Sequence, residues 1–310
     1  MFDLAITTYK RPALVYAAVK SCLTQGPMLE KVIVVDDASM DLTREAVESL
    51  HDPRVLFVQR ETNGGISAAR RDAFSLSTAS WTVSLDSDHE LLPGALEAFA
   101  GLLATAAEPV DILGACYKWD TGRVSPKSVP RGILGYRDRI HYAGLEDSIG
   151  SDYLCAVSAR VRQAVSWEPL RSILPDTLFQ LDAARVGNAV FTPRCLAFQK
   201  SNAAYGYTRG TAACRLARRR LDANDALQAT RAIMERHGAA LRRWGPRLLA
   251  RVLRQGAFFA ILSGDRSLAR HWLKTAVMSS GLDYHAFVLA TISFLPAKAV
   301  EMMYRARGTR

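Results

Sequence analysis

Lys31-Val32-Ile33-Val34-Val35-Asp36-Asp37 is the stretch from which the fold is read. Its β-branched residues run without a polar break, as in a strand covered on both faces by helices. It then ends abruptly on two carboxylates. The same alternation repeats on either side. Upstream, residues 3–7 form a short apolar run, and Pro12 opens a helix-compatible stretch to residue 25, stopped by Gly26-Pro27. Downstream, helices are expected over 41–50, 67–77 and 93–103, and strands over 54–58, 81–85 and 110–117. Strands separated by helices of this length make βαβ units. The expected class is therefore α/β, with a Rossmann-type, mostly parallel sheet flanked by helices.

In such sheets ligands bind beyond the carboxyl ends of the strands. Four polar clusters fall there: Thr7-Thr8-Tyr9, Asp36-Asp37, Asn63-Gly64-Gly65 and Asp86-Ser87-Asp88. Distant in sequence, they should meet around one pocket. Asp86 and Asp88 stand at i and i+2 of an extended segment and so point the same way; paired hard oxygens suit Mg²⁺ or Mn²⁺. The plainer reading is a cap for the helix near Pro93. A carboxylate at Asp37 can accept from N3–H of uracil or thymine, or N1–H of guanine, but not from cytosine N3, which carries no proton. Capping is the alternative for Asp36-Asp37. The glycines at 64 and 65 permit close backbone approach ahead of a helix N-terminus, with Arg70 and Arg71 following; both features favour an anion. Neither a dinucleotide nor a P-loop glycine pattern is present. Asp176 stands at the start of a helix, either as its cap or as a general base.

The 310 residues (34.1 kDa, 49% apolar, 23% charged) have ordinary globular composition, which excludes a disordered or collagen-like chain. The formal charge of +10 is uneven: residues 1–208 hold 21 basic and 24 acidic side chains, whereas 209–310 hold 19 and 6, a local +13. Five scattered cysteines without a CxxC pair argue against a disulfide framework and for a reducing compartment. The first residues do not read as a secretory leader. The longest apolar run, 286–296, is short of the about 20 residues that span a bilayer. Residues 118–150, rich in Gly and Pro, read as irregular. The last third reads as helix, with a stripe from Leu241 through Leu253 and a hairpin turning at Gly264-Asp265.

The order of the pieces resembles the family-2 glycosyltransferases of the GT-A fold. Thr7-Thr8-Tyr9-Lys10-Arg11-Pro12, Ser21 to Gln25, Val34 to Asp41, Asn63 to Arg70 and Leu85-Asp86-Ser87-Asp88 carry the likeness. It covers about residues 1–105 with good spacing, weakens over 150–200 and stops there. It implies inverting transfer of a sugar from a nucleoside-diphosphate donor, UDP or dTDP favoured and GDP possible, to a hydroxyl of a glycan or lipid-linked glycan. Thr7 and Asp37 would hold the base, Asp86 the ribose side, and Arg70 would sit near the diphosphate, with Tyr9 and Gly65 also at the donor. Asp88 would ligate Mg²⁺ or Mn²⁺, and Asp176 would be the base. Three departures stand out: Pro175 replaces an acid before Asp176, His89 stands where a third Asp is frequent (a solvated loop histidine being the plainer reading), and Arg71 replaces a common Asn.

This reading divides the chain into a catalytic domain over 1–208 (donor half 1–117, acceptor half 118–208) and a basic helical region over 209–310. It expects a cytoplasmic protein, peripheral at the inner membrane face if the basic region meets anionic lipid. A solvated arginine face is the plain alternative. Nucleic acid ranks last, since Tyr205, Tyr207 and Trp244 near arginines make no known module. Rival functions are a sugar-nucleotide pyrophosphorylase, which would want a glycine-rich loop at residues 7–12, and a non-catalytic nucleotide-sugar binder, suggested by Pro175.

Overall fold

The computed structural model describes residues 1–145, 153–171, 174–200 and 222–295. Tyr205, Tyr207 and the basic residues of 209–220 and 298–310 lie outside them. The chain forms two compact units. The first comprises Met1–Arg139, Gly150–Pro169 and Phe179–Asn202, the second Ile140–Ile149, Leu170–Leu178 and Ala203–Arg310.

The first unit opens with β1 (Phe2–Thr8), α1 (Pro12–Leu23), β2 (Leu29–Asp36), α2 (Thr43–Glu48), β3 (Val55–Gln59), α3 (Ile66–Ser75), β4 (Trp81–Asp86), β5 (His89–Leu91), α4 (Ala95–Thr105) and β6 (Ile112–Trp119). β7 (Val124–Ser125), β8 (Ile133–Leu134), α5 (Tyr136–Leu145), β9 (Leu154–Ser158), α6 (Ala159–Ala164), α7 (Leu174–Val186) and β10 (Ala189–Gln199) follow, α5 and α7 each running from one unit into the other. The sheet order is β3-β2-β1-β4-β9-β6-β10-β5, with β7 on β6 and β8 on β10. The pairings β3/β2, β2/β1, β1/β4 and β6/β10 are parallel. β9 enters antiparallel between β4 and β6.

The apolar run of β2 is continuous because both its faces are buried. Val32 and Val34 join Leu4, Ile6, Val15, Val19, Leu96 and Phe99 in one core cluster. Ile33 and Val35 alternate to the other face, against Ala69, Ala73 and Phe74 of α3. At Gly114 of β6 a Cβ would stand 2.2 Å from Cδ1 of Phe191, its register partner on β10. Gly114→Val should therefore destabilise the unit by about 1–3 kcal/mol, the usual range for overpacking. A thermal melt unchanged from the parent would contradict this.

Residues 118–150 are not irregular throughout: they contain β7, β8 and the helix α5. The helix was hidden because its pattern is not amphipathic. Arg139, in its middle, is buried and donates to Tyr153 Oη and Gln180 Oε1, each at 2.8 Å, while the neighbouring Ile140 is also buried.

In the second unit, α8 (Ala223–Trp244), α9 (Pro246–Ser263), α10 (Arg266–Ser280) and α11 (Tyr284–Phe294) give the expected helices. The stripe expected from Leu241 to Leu253 is broken at Gly245-Pro246, because Pro246 starts α9 at a position that has no N–H to satisfy. The hairpin does turn at Gly264, which has φ +90°, and Asp265 caps α10 by accepting from Leu268 N at 2.9 Å. None of the four described cysteines, Cys22, Cys116, Cys155 and Cys195, is in a disulfide.

Candidate active site

Parallel pairing brings the strand ends together: Thr8 lies opposite Asp36, and Thr7 opposite Asp86. With β1 between β2 and β4, the carboxylates that follow the outer two strands lie at one sheet edge, about 10 Å apart by strand spacing. The two neighbouring acids after β2 do different things. Asp36 is fully buried and builds the turn: Ser39 N and Gln59 Nε2 donate to its Oδ2 at 2.9 and 3.1 Å, and the Ser39 hydroxyl donates to Oδ1. Lys10 N donates to Ser39 Oγ at 2.7 Å, so this turn also fixes the loop after β1. Asp36 is thus the capping residue of the pair.

Asp37, 4% exposed, anchors the glycine loop. Its Oδ1 accepts from Arg60 Nη1 at 2.6 Å and Gly64 N at 2.9 Å, and its Oδ2 accepts from Gly65 N at 2.8 Å. A carboxylate offers about four acceptor positions, so these three donors leave one position on Oδ2 unused. The glycines are required locally. A Cβ on Gly64 would lie 2.3 Å from Arg60 Nη1, and Gly65 has φ +87° immediately before α3. Arg60 also donates from Nε to Asp72 at 2.8 Å, which locks loop, β3 end and α3 together.

Arg70 on α3 is nearly buried. Its Nη2 meets Asp86 Oδ1 at 2.6 Å, and its guanidinium sits 5.1 Å from the centre of the Trp167 ring. Trp167 is itself stacked on Phe179 at 4.0 Å. Burial opposes ionisation of Asp86, but Arg70, then His89 and Arg11, outweigh it and hold the carboxyl below the usual range. Asp86 is therefore an anion at neutral pH.

Asp86, Asp88 and His89 place ligand atoms within 4.8 Å of one another. His89 Nδ1 lies 3.2 Å from Asp88 Oδ1, while Arg11 Nη1 reaches Asp88 Oδ2 only at 3.7 Å. Two carboxylates, one held ionised and the other only loosely paired, with an imidazole beside them, fit a divalent cation by donor chemistry. His89 is not a solvated loop residue: it is 8% exposed, begins β5 and packs edge-on against Tyr117 at 4.8 Å. Nor do these acids cap the next helix, whose N-cap is Gly94.

Of the residues expected at the donor, Thr7 is buried and Tyr9 is 42% exposed beyond β1. Thr7, Tyr9, Asp37, Gly65, Arg70, Asp86 and Asp88 all belong to the first unit, and Asp176 to the second. Asp176 is half-buried inside the first turn of α7, where an acid favours the helix dipole. Two neighbours, Arg60 and Trp167, escaped the sequence reading, and Arg11 entered it only within a motif, with no role of its own. Arg60 had a usable signal, since it is the first residue after β3, three positions before the Asn63-Gly64-Gly65 cluster.

Residues 3–163 match the family described as glycosyl transferase family 2. The chain belongs to that family. It is 30% identical over 101 residues to the "Putative colanic acid biosynthesis glycosyl transferase WcaA" of Escherichia coli, covering 32% of this chain and 36% of that protein. It is 32% identical over 91 residues to the "Succinoglycan biosynthesis protein ExoO" of Rhizobium meliloti (29% and 26%). It is 27% identical over 88 residues to the "UDP-Glc:alpha-D-GlcNAc-diphosphoundecaprenol beta-1,3-glucosyltransferase WfaP" of Escherichia coli (28% and 35%). The chain thus spans about a third of these curated relatives or less. Two solved structures share the GT-A fold. S. aureus TarS 1–349 with UDP-GlcNAc has TM-score 0.58 and 17% identity, covering 94% of this chain and 90% of that 1–349 chain. The mannosyltransferase PcManGT of Pyrobaculum calidifontis with GDP-Man and Mn²⁺ has TM-score 0.55 and 20% identity, covering 99% and 83%.

Proposed function

We propose that this chain transfers a sugar, with inversion, from a nucleoside-diphosphate donor to a hydroxyl of a glycan or lipid-linked glycan. The observation that carries the reading is the convergence of Asp37, with its glycine loop, and the Asp86–Asp88–His89 group at one sheet edge. The open position on Asp37 Oδ2 suits an imide N–H, so uracil and thymine are favoured and guanine is possible. Thr7 joins Asp37 at the base, Asp86 lies at the ribose side, and Tyr9 also belongs to the donor site. Arg70 keeps Asp86 ionised and fixed. Asp86, Asp88 and His89 would hold Mg²⁺ or Mn²⁺, whose charge, when bound, offsets that of a leaving diphosphate. Asp176 takes the proton from the acceptor hydroxyl, a general-base role typically worth ~10²–10⁴-fold.

The UDP-GlcNAc complex of TarS, the GDP-Man complex of PcManGT and the diphosphoundecaprenol in WfaP's name support these classes of substrate. A lipid-borne acceptor also fits the division into a catalytic domain over 1–208 and a basic region over 209–310, peripheral to the inner face of a membrane.

A thermal-shift panel of nucleoside diphosphates with Mn²⁺ tests the base preference. Ligand at a hundredfold excess over Kd adds about 2.7 kcal/mol, or roughly 5–10 °C for a unit of this size. UDP or dTDP should produce this shift and CDP should not. A larger shift with CDP sinks the assignment of Asp37, and release of pyrophosphate in place of nucleoside diphosphate sinks the transfer itself.

A further inference from the structure

We propose that the outer face of α10 and α11 docks the chain onto an anionic phospholipid surface. α11 contains no acid, lysine or arginine over its 11 residues, yet only Ala286 and Ser293 are buried. Tyr284, Phe287, Thr291 and Phe294 recur at i, i+3, i+7 and i+10, which is one stripe of a helix. The three aromatics are 67%, 57% and 69% exposed, and Leu282 and Met278, at 64% and 78%, extend the patch. So many large apolar side chains left together in water mark a contact surface.

The cations beside the stripe name its occupant. On α10, Arg270, Lys274 and Met278 lie at i, i+4 and i+8 and are all exposed. The Arg270 guanidinium is 5.1 Å from the centre of the Phe294 ring, so the basic row runs directly alongside the aromatic one. The two acids of this hairpin are occupied. Asp283 caps α11 at Ala286 N (2.7 Å) and pairs with Arg254 (2.6 Å), and Asp265 caps α10. A second copy packed face to face on a two-fold axis would set these cations against their own kind. Aromatic rings with a bordering row of Lys and Arg have the composition of helices that lie in a lipid interface: the rings enter the acyl boundary and the cations meet acidic headgroups. No helix among the described residues is long and apolar enough to cross a membrane.

Vesicle flotation of the full chain tests this. The chain should float with vesicles of phosphatidylglycerol and phosphatidylcholine in equal parts at low salt, bind less at high salt, and stay behind with phosphatidylcholine alone. Phe287→Asp with Phe294→Asp, and separately Arg270→Glu with Lys274→Glu, should each lower partition about tenfold or more, because each removes two membrane-facing groups. All four positions are on the helix exterior, so far-UV circular dichroism should be unchanged. Flotation of either double variant at the parent level, or no flotation of the parent, overturns the proposal. So does light scattering that shows a dimer broken by the aromatic variant without vesicle binding. Each of these failures leaves the sugar-transfer reading intact, because donor binding is read separately by thermal shift.

Discussion

Asp88→Ala is expected to bring sugar transfer down to background and to abolish its dependence on divalent cation. Asp88 follows β4 within the Asp86–Asp88–His89 group, and its side chain is 17% exposed. Its contacts in the protein are loose, Arg11 at 3.7 Å and His89 at 3.2 Å. Such partly exposed pairs contribute about 0–1 kcal/mol, so the variant should melt close to the parent. The functional loss is of another order. Removing one preorganised electrostatic group from a reacting centre typically costs ~10²–10³-fold, and loss of a ligand to the cation removes more than one such interaction. The readouts are turnover with Mn²⁺ and, independently of activity, the Mn²⁺-dependent part of the UDP thermal shift. His89→Ala should weaken that second readout while retaining part of it, since both carboxylates remain. Full Mn²⁺-dependent turnover in Asp88→Ala would remove these residues from any cation-holding role.

What the sequence could and could not disclose follows from the range of the forces involved. The sheet was legible because burial on both faces leaves a run such as Val32 to Val35 with no polar residue, and the carboxylates at the strand ends mark the edge where backbone pairing stops. α5 was not legible, since its buried Arg139 finds the partners of its Nη2, Tyr153 and Gln180, elsewhere in the chain. The roles of Asp36 and Asp37 could not be told apart in sequence. The register of β1 against β2 and the turn through Ala38, at φ +65°, send one carboxylate inward to Ser39 and Gln59 and the other to the glycine loop. His89 reads as a loop histidine until β5 pairs with β10 and Tyr117 comes to lie against its ring. In each of these cases the deciding partner is more than ten residues away or depends on a turn whose hand no local pattern reveals.

Asp37→Asn is expected to weaken UDP binding at least about a hundredfold and to turn the base preference toward CDP. The effect rests on which oxygen the amide must keep. Oδ1 serves two donors, Arg60 Nη1 at 2.6 Å and Gly64 N at 2.9 Å, whereas Oδ2 serves one, Gly65 N at 2.8 Å. The carbonyl of the asparagine therefore takes the place of Oδ1, and its NH₂ takes that of Oδ2. That NH₂ cannot accept from Gly65 N, and it presents a donor where a uracil N3–H needs an acceptor. A buried donor left facing a donor costs about 1–3 kcal/mol, and polar mismatches in sites built for a hydrogen bond are rejected strongly. Cytosine N3, an acceptor, becomes the better match. Asp37→Ala separates this effect from loop anchoring. It frees Arg60 and both glycine amides at once, so it should lower stability by about 2–4 kcal/mol and lose UDP and CDP alike. Isothermal titration with UDP and CDP on both variants decides the matter. If Asp37→Asn loses affinity for the two nucleotides in equal proportion, Asp37 is an anchor for the glycine loop and has no part in reading the base.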